Sequence, residues 1–362
     1  MRITSRKSAL SGLAVVGIST MLLAGCAPAP ESPSSSDKPA ASNFLPCMVS
    51  DSGGFDDKSF NQLGKQGIDE AATKLGVKAN SVESKVETDY APNINSLIAQ
   101  NCNIIVTVGF NLAAATKDAA TANSDINFAI IDDNSIDLPN VKPIVFDTAQ
   151  AAFLGGYAAA SYSKTGIVGT FGGIPIPPVT IFMDGFYDGV QYFNSQKGKN
   201  VKVLGWDVNK QKEGAFTGGF DANDTAKSTA KNLIDQGADV ILPVGGPIYQ
   251  SAVQAIKDSG KDIAMIGVDA DVTQTDPDIT PLLLTSIMKG IQVGVSDVVA
   301  AAADGKFDNT PFVGTLANDG VGLAPFHDFA SKVDPGLQGE LDAIKADIIS
   351  GKIKVVSPSS PK

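Results

Sequence analysis

The stretch Asn101-Cys102-Asn103-Ile104-Ile105-Val106-Thr107-Val108-Gly109 has a second version further along the chain, Gly237-Ala238-Asp239-Val240-Ile241-Leu242-Pro243-Val244-Gly245. Each is a short apolar run that follows an amphipathic segment and ends in a glycine. A strand that is apolar on both faces belongs inside a parallel sheet covered by helices on both sides. The glycine marks the turn by which such a strand leaves the sheet. Further runs of this kind stand at 45–50, 128–131, 144–146, 167–170, 201–206 and 263–268. Amphipathic segments at 59–75, 93–100, 112–122, 182–193, 224–236 and 250–259 lie between them. This alternation predicts βαβ units and parallel sheets.

The alternation is run through twice. A first series ends near Phe146, a Gly/Ala-rich helix follows at 149–161, and a fresh series begins at Ile167. The expected architecture is therefore α/β, with two Rossmann-like lobes, each with its own parallel sheet, joined by a hinge. The first lobe is expected from 44–146 with about 283–310, and the second from 147–282 with about 311–355. One continuous α/β domain is the competing organisation. Ligands of open parallel sheets bind beyond the carboxyl ends of the strands. Two facing lobes then make a cleft lined by those ends, and the residues just after strands carry the function.

The first residues have a different character. Arg2, Arg6 and Lys7 precede an apolar stretch from Ala9 to Ala24 that closes on Leu23-Ala24-Gly25-Cys26. A basic start, a short apolar core and small residues before the cut make a secretory signal over 1–25. The stretch is short for a membrane span, which takes about 20 residues. The cysteine just after the cut makes Cys26 the lipid-accepting residue, in a pattern that resembles a bacterial lipobox. Residues 26–43, rich in Pro, Ser and Ala, form a flexible tether.

Removing the signal leaves 337 residues and three fewer positive charges, so the formal net charge moves from −11 to −14. Such a surface is poorly suited to nucleic acid. With Cys26 assigned to lipid, Cys47 and Cys102 remain as an even pair, the expectation for a disulfide in an oxidising compartment. Each begins a strand, and the first and third strands of a 2-1-3-4-5 sheet are neighbours. Two separate buried thiols are the alternative.

The most informative turn follows the first strand: Asp51-Ser52-Gly53-Gly54-Phe55-Asp56-Asp57-Lys58-Ser59-Phe60-Asn61-Gln62. The glycines permit a tight turn, and Asp57 or Ser59 is placed to cap the next helix. Phe60 and Asn61 then fall in its first turn, offering the cleft a ring face and an amide. The loop lacks GxxxxGK[ST] and sets carboxylates where a phosphate would be repelled.

This string, Asp-x-Gly-Gly-x-x-Asp-Lys-Ser-Phe-Asn-Gln, resembles that of the basic membrane protein (BMP) family, the nucleoside-binding lipoproteins of ABC importers. Further marks follow in order: Gly109-Phe110, Phe153-Leu154-Gly155-Gly156, Phe182-x-x-Gly185-Phe186-x-x-Gly189, Gly219-Phe220-Asp221, Gly245-Gly246, Ile266-Gly267-Val268-Asp269-x-Asp271 and Thr285-Ser286-x-x-Lys289. The resemblance spans roughly 48–289. It implies a type I periplasmic-binding fold that closes on a nucleoside by hinge motion. It also implies ABC permease subunits as partners, a monomer, and a lipid anchor at the outer face of the bacterial cytoplasmic membrane. No catalytic residue, cofactor or metal is implied. Carried over, Phe60 and Phe220 are the base-stacking pair. Asp51 and Asn61 make polar contacts on the first lobe beside Phe110, and Gly246, Asp269 and Lys289 meet the sugar.

A flat base stacked on an aromatic ring gains roughly 1–3 kcal/mol, and a sugar diol donates well to a carboxylate. The chain departs from the family after Gly109-Phe110, where many relatives carry an Asp placed to meet the base edge. Here Ala114 stands in the run Asn111-Leu112-Ala113-Ala114-Ala115, so that role is empty or passes to Asn111, Asp132 or Asp133. The nucleoside class is therefore better supported than a purine preference.

The rival classes are a secreted α/β hydrolase acting on nucleosides and a membrane-anchored sensor of the same fold. His327 is the single histidine, and no G-x-S-x-G elbow is present. The pairs Asp56-Asp57 and Asp269-x-Asp271 read more economically as a helix cap and sugar contacts than as an acid–base or metal site.

Overall fold

The computed structural model describes residues 43–361. The signal at 1–25, the lipid-accepting Cys26 and nearly all of the tether lie outside the described residues. Two six-stranded sheets organise the rest. In the first, β1 (Pro46–Val49), β2 (Asn80–Val82), β3 (Ile104–Val108), β4 (Asn127–Ile131) and β5 (Val141–Phe146) run parallel in the order 2-1-3-4-5. Their crossovers are α1 (Phe60–Leu75), α2 (Tyr90–Ala99) and α3 (Ala113–Ala122). The second sheet repeats the plan with β6 (Ile167–Gly172), β7 (Lys202–Leu204), β8 (Val240–Val244) and β9 (Ala264–Asp269), in the order 7-6-8-9. Its helices are α4 (Thr148–Tyr162), which leads in from the first sheet, and α5 (Pro177–Lys197), α6 (Asp224–Asp235) and α7 (Ile248–Ser259). The strands β1, β3, β8 and β9 are buried along their whole length, as apolar runs sandwiched between helix layers must be.

The chain then recrosses. After the short α8 (Val272–Thr275), β10 (Leu283–Lys289) pairs with β9 in the second sheet. Next, α9 (Ile291–Ala303) packs on α1, and β11 (Phe312–Gly314) joins β5 in the first sheet. Finally β12 (Val321–Leu323) returns antiparallel to β10, and α10 (Leu337–Ile349) packs on α4. The expected lobe boundaries near 283 and 311 therefore shift. Leu283 to Lys289 belong to the second sheet, and Phe312 to Gly314 belong to the first. The crossings fall at Asp147, at Gly290 and between Gly314 and Val321. The reason is physical: 283–289 is one continuous, largely buried strand paired along β9, so the chain leaves the sheet only at Gly290. The crossings are knitted together by Asp147 N–H donating to Gly314 O (2.8 Å) and Gly290 N–H to Gly320 O (2.8 Å).

Cys47 and Cys102 are disulfide-bonded, with Cα atoms 5.9 Å apart, joining the starts of β1 and β3. In the second lobe, α4 and α5 meet at backbone distance. A Cβ on Gly156 would lie 2.0 Å from Phe186 O, one on Gly185 2.3 Å from Ala149 O, and one on Gly189 2.0 Å from Phe153 O. The glycines read as family marks at these positions are the condition for the two helices to touch.

Candidate functional site

The carboxyl ends of both sheets face one cavity. Asp51, Phe60, Asn61, Phe110, Phe220, Gly246, Asp269 and Lys289 all line it, together with Asp132, Phe182, Ile176 and Val179. Sequence reasoning had placed the first eight there. It missed Phe182 and weighed Asp132 only as a substitute reader of the base. Ala114 is exposed on α3 and does not line the cavity, whereas Asn111 does.

On the first lobe, Asp57 caps α1. Its Oδ1 accepts from Ser59 N–H (3.0 Å) and Gln62 N–H (3.0 Å), and its Oδ2 from Asn61 N–H (2.8 Å) and Asn61 Nδ2 (3.0 Å). This satisfies the donors a helix start leaves open. It frees Ser59, whose Oγ donates across the cleft to Val268 O (3.0 Å), with Asp269 Oδ2 at 3.3 Å. Asn61 is fully engaged inside its own lobe. Its Nδ2 also donates to Asp51 Oδ1 (2.7 Å), and its Oδ1 accepts from Asp51 N–H (3.1 Å). With Gly53 N–H also on Oδ1 (2.8 Å), the Asp51 carboxylate is held by one oxygen while Oδ2 is left toward the cleft. Burial, reinforced by Asp57 and Asp269, pushes the Asp51 carboxyl up to about 6 against the bonds from Gly53 and Asn61.

On the second lobe, the half-buried Phe220 ring rests on two glycine turns. A Cβ on Gly173 would come within 2.3 Å of the ring, and one on Gly245, at φ +131°, within 2.6 Å. Only glycine at both strand ends leaves room for the ring, which explains the Gly-rich turns after β6 and β8.

A buried ion cluster closes the site between the lobes. Lys289, at the end of β10, places Nζ 2.6 Å from Asp132 Oδ2 and 3.5 Å from Asp269 Oδ1. The rings of Phe182, Phe60 and Phe146 surround it at 5.2, 5.3 and 5.7 Å from their centroids, a cation–π cage. Asp132 and Asp269 follow the equivalent strands of the two lobes, and both have left-handed backbones, φ +65° and +67°. A non-glycine residue held there is strained, and such strain concentrates at functional positions. Burial raises both carboxyls above the usual range, although Lys289 opposes it. Burial works against the Lys289 charge too, but Asp132 and Asp269 outweigh it and hold the ammonium above its ordinary value. One atom is left over: Asp269 Oδ1 is buried without a hydrogen-bond partner.

The acidic pairs considered for chemistry are otherwise occupied. Asp56 is exposed beside Lys58, and Asp271 caps α8 through Thr273 N–H (3.2 Å) and bonds His327 Nε2 (2.9 Å). Among the described residues, no group of three or more His, Cys, Asp or Glu is arranged to hold a metal ion.

Two doubly wound lobes, crossed three times by the chain and enclosing a cleft at their strand ends, make up the periplasmic-binding fold. Residues 44–356 match the family model of PnrA-like ABC transporter substrate-binding proteins, Bmp, and the chain belongs to that family. It is 31% identical to basic membrane protein D of Borreliella burgdorferi, over 84% of this chain and 85% of that one. It is 28% identical to the ABC transporter nucleoside-binding protein BmpA of Lactococcus lactis subsp. cremoris, over 97% of this chain and 99% of that one. Among solved structures, an ABC transporter solute-binding protein from Aeropyrum pernix superposes with a TM-score of 0.76 at 25% identity, covering 87% of this chain and 94% of the other. Proteins of Pyrococcus similar to this chain are named lipoproteins. No helix among the described residues is long and apolar enough to cross a membrane.

Proposed function

We propose that this substrate-binding protein captures a nucleoside between its lobes and hands it to the permease of an ABC importer, while a lipid on Cys26 holds it at the outer face of the membrane. The observation that carries the reading is the pairing of unlike groups in one cleft. Phe60 and Phe220, one from each lobe, offer ring surface to a flat base. Asp269 Oδ1, which accepts no hydrogen bond, and the Lys289 ammonium 3.5 Å from it offer an acceptor and a donor to a sugar diol. A buried carboxylate oxygen without a donor is costly, and a ligand hydroxyl supplies the missing bond. The nucleoside-binding name of the Lactococcus relative supports the same class. Tethering keeps the loaded protein near its permease and raises the effective concentration at delivery.

Calorimetric titration with adenosine, guanosine, inosine, cytidine and uridine tests this. At least one is expected to bind and to be recovered unchanged. Binding by none of the five overturns the nucleoside assignment, and release of free base overturns the binding-protein role in favour of a hydrolase.

A further inference from the structure

The segment Ser357-Pro358-Ser359-Ser360-Pro361 lies against the hinge, and its three serine hydroxyls tie it to both lobes. Ser357 Oγ donates to Asp184 Oδ2 (2.6 Å), and Ser359 Oγ stands 2.7 Å from Thr180 Oγ1. Asp184 and Thr180 are one turn apart on α5 in the second lobe. Asp184 is itself a fixed point: its Oδ1 accepts from Trp206 Nε1 (2.9 Å) and Gln211 Nε2 (2.7 Å). Ser360 Oγ then donates to Asp147 Oδ1 (2.8 Å). Asp147 follows β5 at the first hinge crossing: its N–H is bonded to Gly314 O of β11 (2.8 Å) in the first sheet, while its Oδ2 accepts from Gln150 Nε2 of α4 (2.7 Å). The backbone crosses the hinge three times, and this segment ties α5 of the second lobe to the first of those crossings.

The same residues wall a cavity of about 240 Å³ whose other walls include Asp132, Phe146, Pro178 and Lys289. All but Phe146 of these also line the ligand cleft. The segment is thus the outer wall behind the Lys289 cluster.

We infer that residues 357–361 form a strap that latches the two lobes together from the hinge side and so sets how long a ligand stays in the cleft. Two features give it that capacity. Hydroxyl-to-carboxylate bonds are charge-assisted and stronger than neutral ones. A hydrogen bond of 2.8 Å also has little tolerance: it is lost by about 3.5 Å, so even the small displacements near a hinge axis break it. The Ser360–Asp147 bond coexists here with the cross-lobe contacts Lys289–Asp132 and Ser59–Val268, so it belongs to the closed arrangement.

The test compares the native chain with Ser360→Ala and Ser360→Thr, each carrying labels at K74C on α1 and K231C on α6, two exposed helix positions on opposite lobes. The inter-lobe distance distribution is read first without ligand. Ser360→Ala is expected to broaden it toward longer distances, and Ser360→Thr, which keeps the hydroxyl, to restore the native profile. Stopped-flow dissociation is read second, and this part rests on the nucleoside reading. Ser360→Ala is expected to release the tightest-binding nucleoside about tenfold faster, the loss corresponding to one charge-assisted bond, with an unchanged association rate. Native distances and native release in Ser360→Ala overturn the strap, as does a change shared equally by Ser360→Thr. If no nucleoside binds, the functional proposal falls, while the distance measurement still decides the strap.

Discussion

Replacing Asp51 by Asn separates what this carboxyl does for the fold from what it does for a ligand. Its Oδ1 accepts from Gly53 N–H and Asn61 Nδ2, at 2.8 and 2.7 Å, while Oδ2 is left toward the cleft. An Asn in the same rotamer keeps its amide oxygen at the first position and sets its NH₂ at the second, so both internal bonds survive. What disappears is a charge the site disfavours, because burial lifts this carboxyl from 3.8 to about 6. A carboxyl raised in the folded state binds its proton at higher pH there than in the unfolded chain. Its penalty is therefore absent below the unfolded value, grows between the two values and is complete above the folded one. That rise corresponds to at most ~3 kcal/mol, because cleft solvent screens the charge. Urea unfolding is expected to find Asp51→Asn more stable than the native chain by about 1–3 kcal/mol at pH 7.5 and nearly equal to it at about pH 3, below the unfolded value. Asp57, Asp132 and Asp269 are common to both proteins and largely cancel in the difference. A variant that is less stable at pH 7.5, or shows the same difference at both pH values, refutes the reasoning.

Phe220→Ala is expected to weaken nucleoside binding at least about tenfold by calorimetry, since one stacking contact is worth roughly 1–3 kcal/mol; unchanged affinity with a native circular dichroism spectrum counts against the aromatic pair. Lys289→Met strips the cation from two buried carboxylates and should cost about 3–5 kcal/mol at pH 7. That loss should shrink in acid as Asp132 and Asp269 take up protons, and a loss under about 1 kcal/mol at neutral pH would show that Lys289 does not neutralise the two buried carboxylates. Serine at both Cys47 and Cys102 releases a crosslink across a sequence separation of 55. The chain-entropy argument makes that loss about 4 kcal/mol, checked by denaturation under non-reducing conditions.

The duplicated strand-and-glycine pattern at 101–109 and 237–245 made the two lobes legible, because apolar runs buried on both faces have few other homes. The strand-end turns made most of the cleft legible too, since the fold puts those turns together whatever their sequence. Other features had no local signature. Asp132 follows an apolar strand as an ordinary acidic turn residue, and only the approach of Lys289, 157 positions later, gives it a partner. Asn61 looks like a contact for the ligand until its amide is seen to be consumed by Asp51 and Asp57. The Gly290 crossing was misplaced because a short buried strand reads alike in either sheet. Ser357, Ser359 and Ser360 carry no local signature either, since their partners lie on α5 and just after β5.

The backbone contact between α4 and α5 has a mechanical consequence. Where glycines let two helices meet with no side chain between them, there are no rotamers to rearrange and little free volume to lose. The second lobe is therefore a stiff element, and hydrostatic pressure has little to compress at its centre. Volume has to come from spaces outside that contact, such as the hinge-side chamber of about 240 Å³ and a groove of about 570 Å³ bordered by β10, β12 and α10. Moderate pressure should thus act on the spaces around this lobe well before it loosens the contact between α4 and α5.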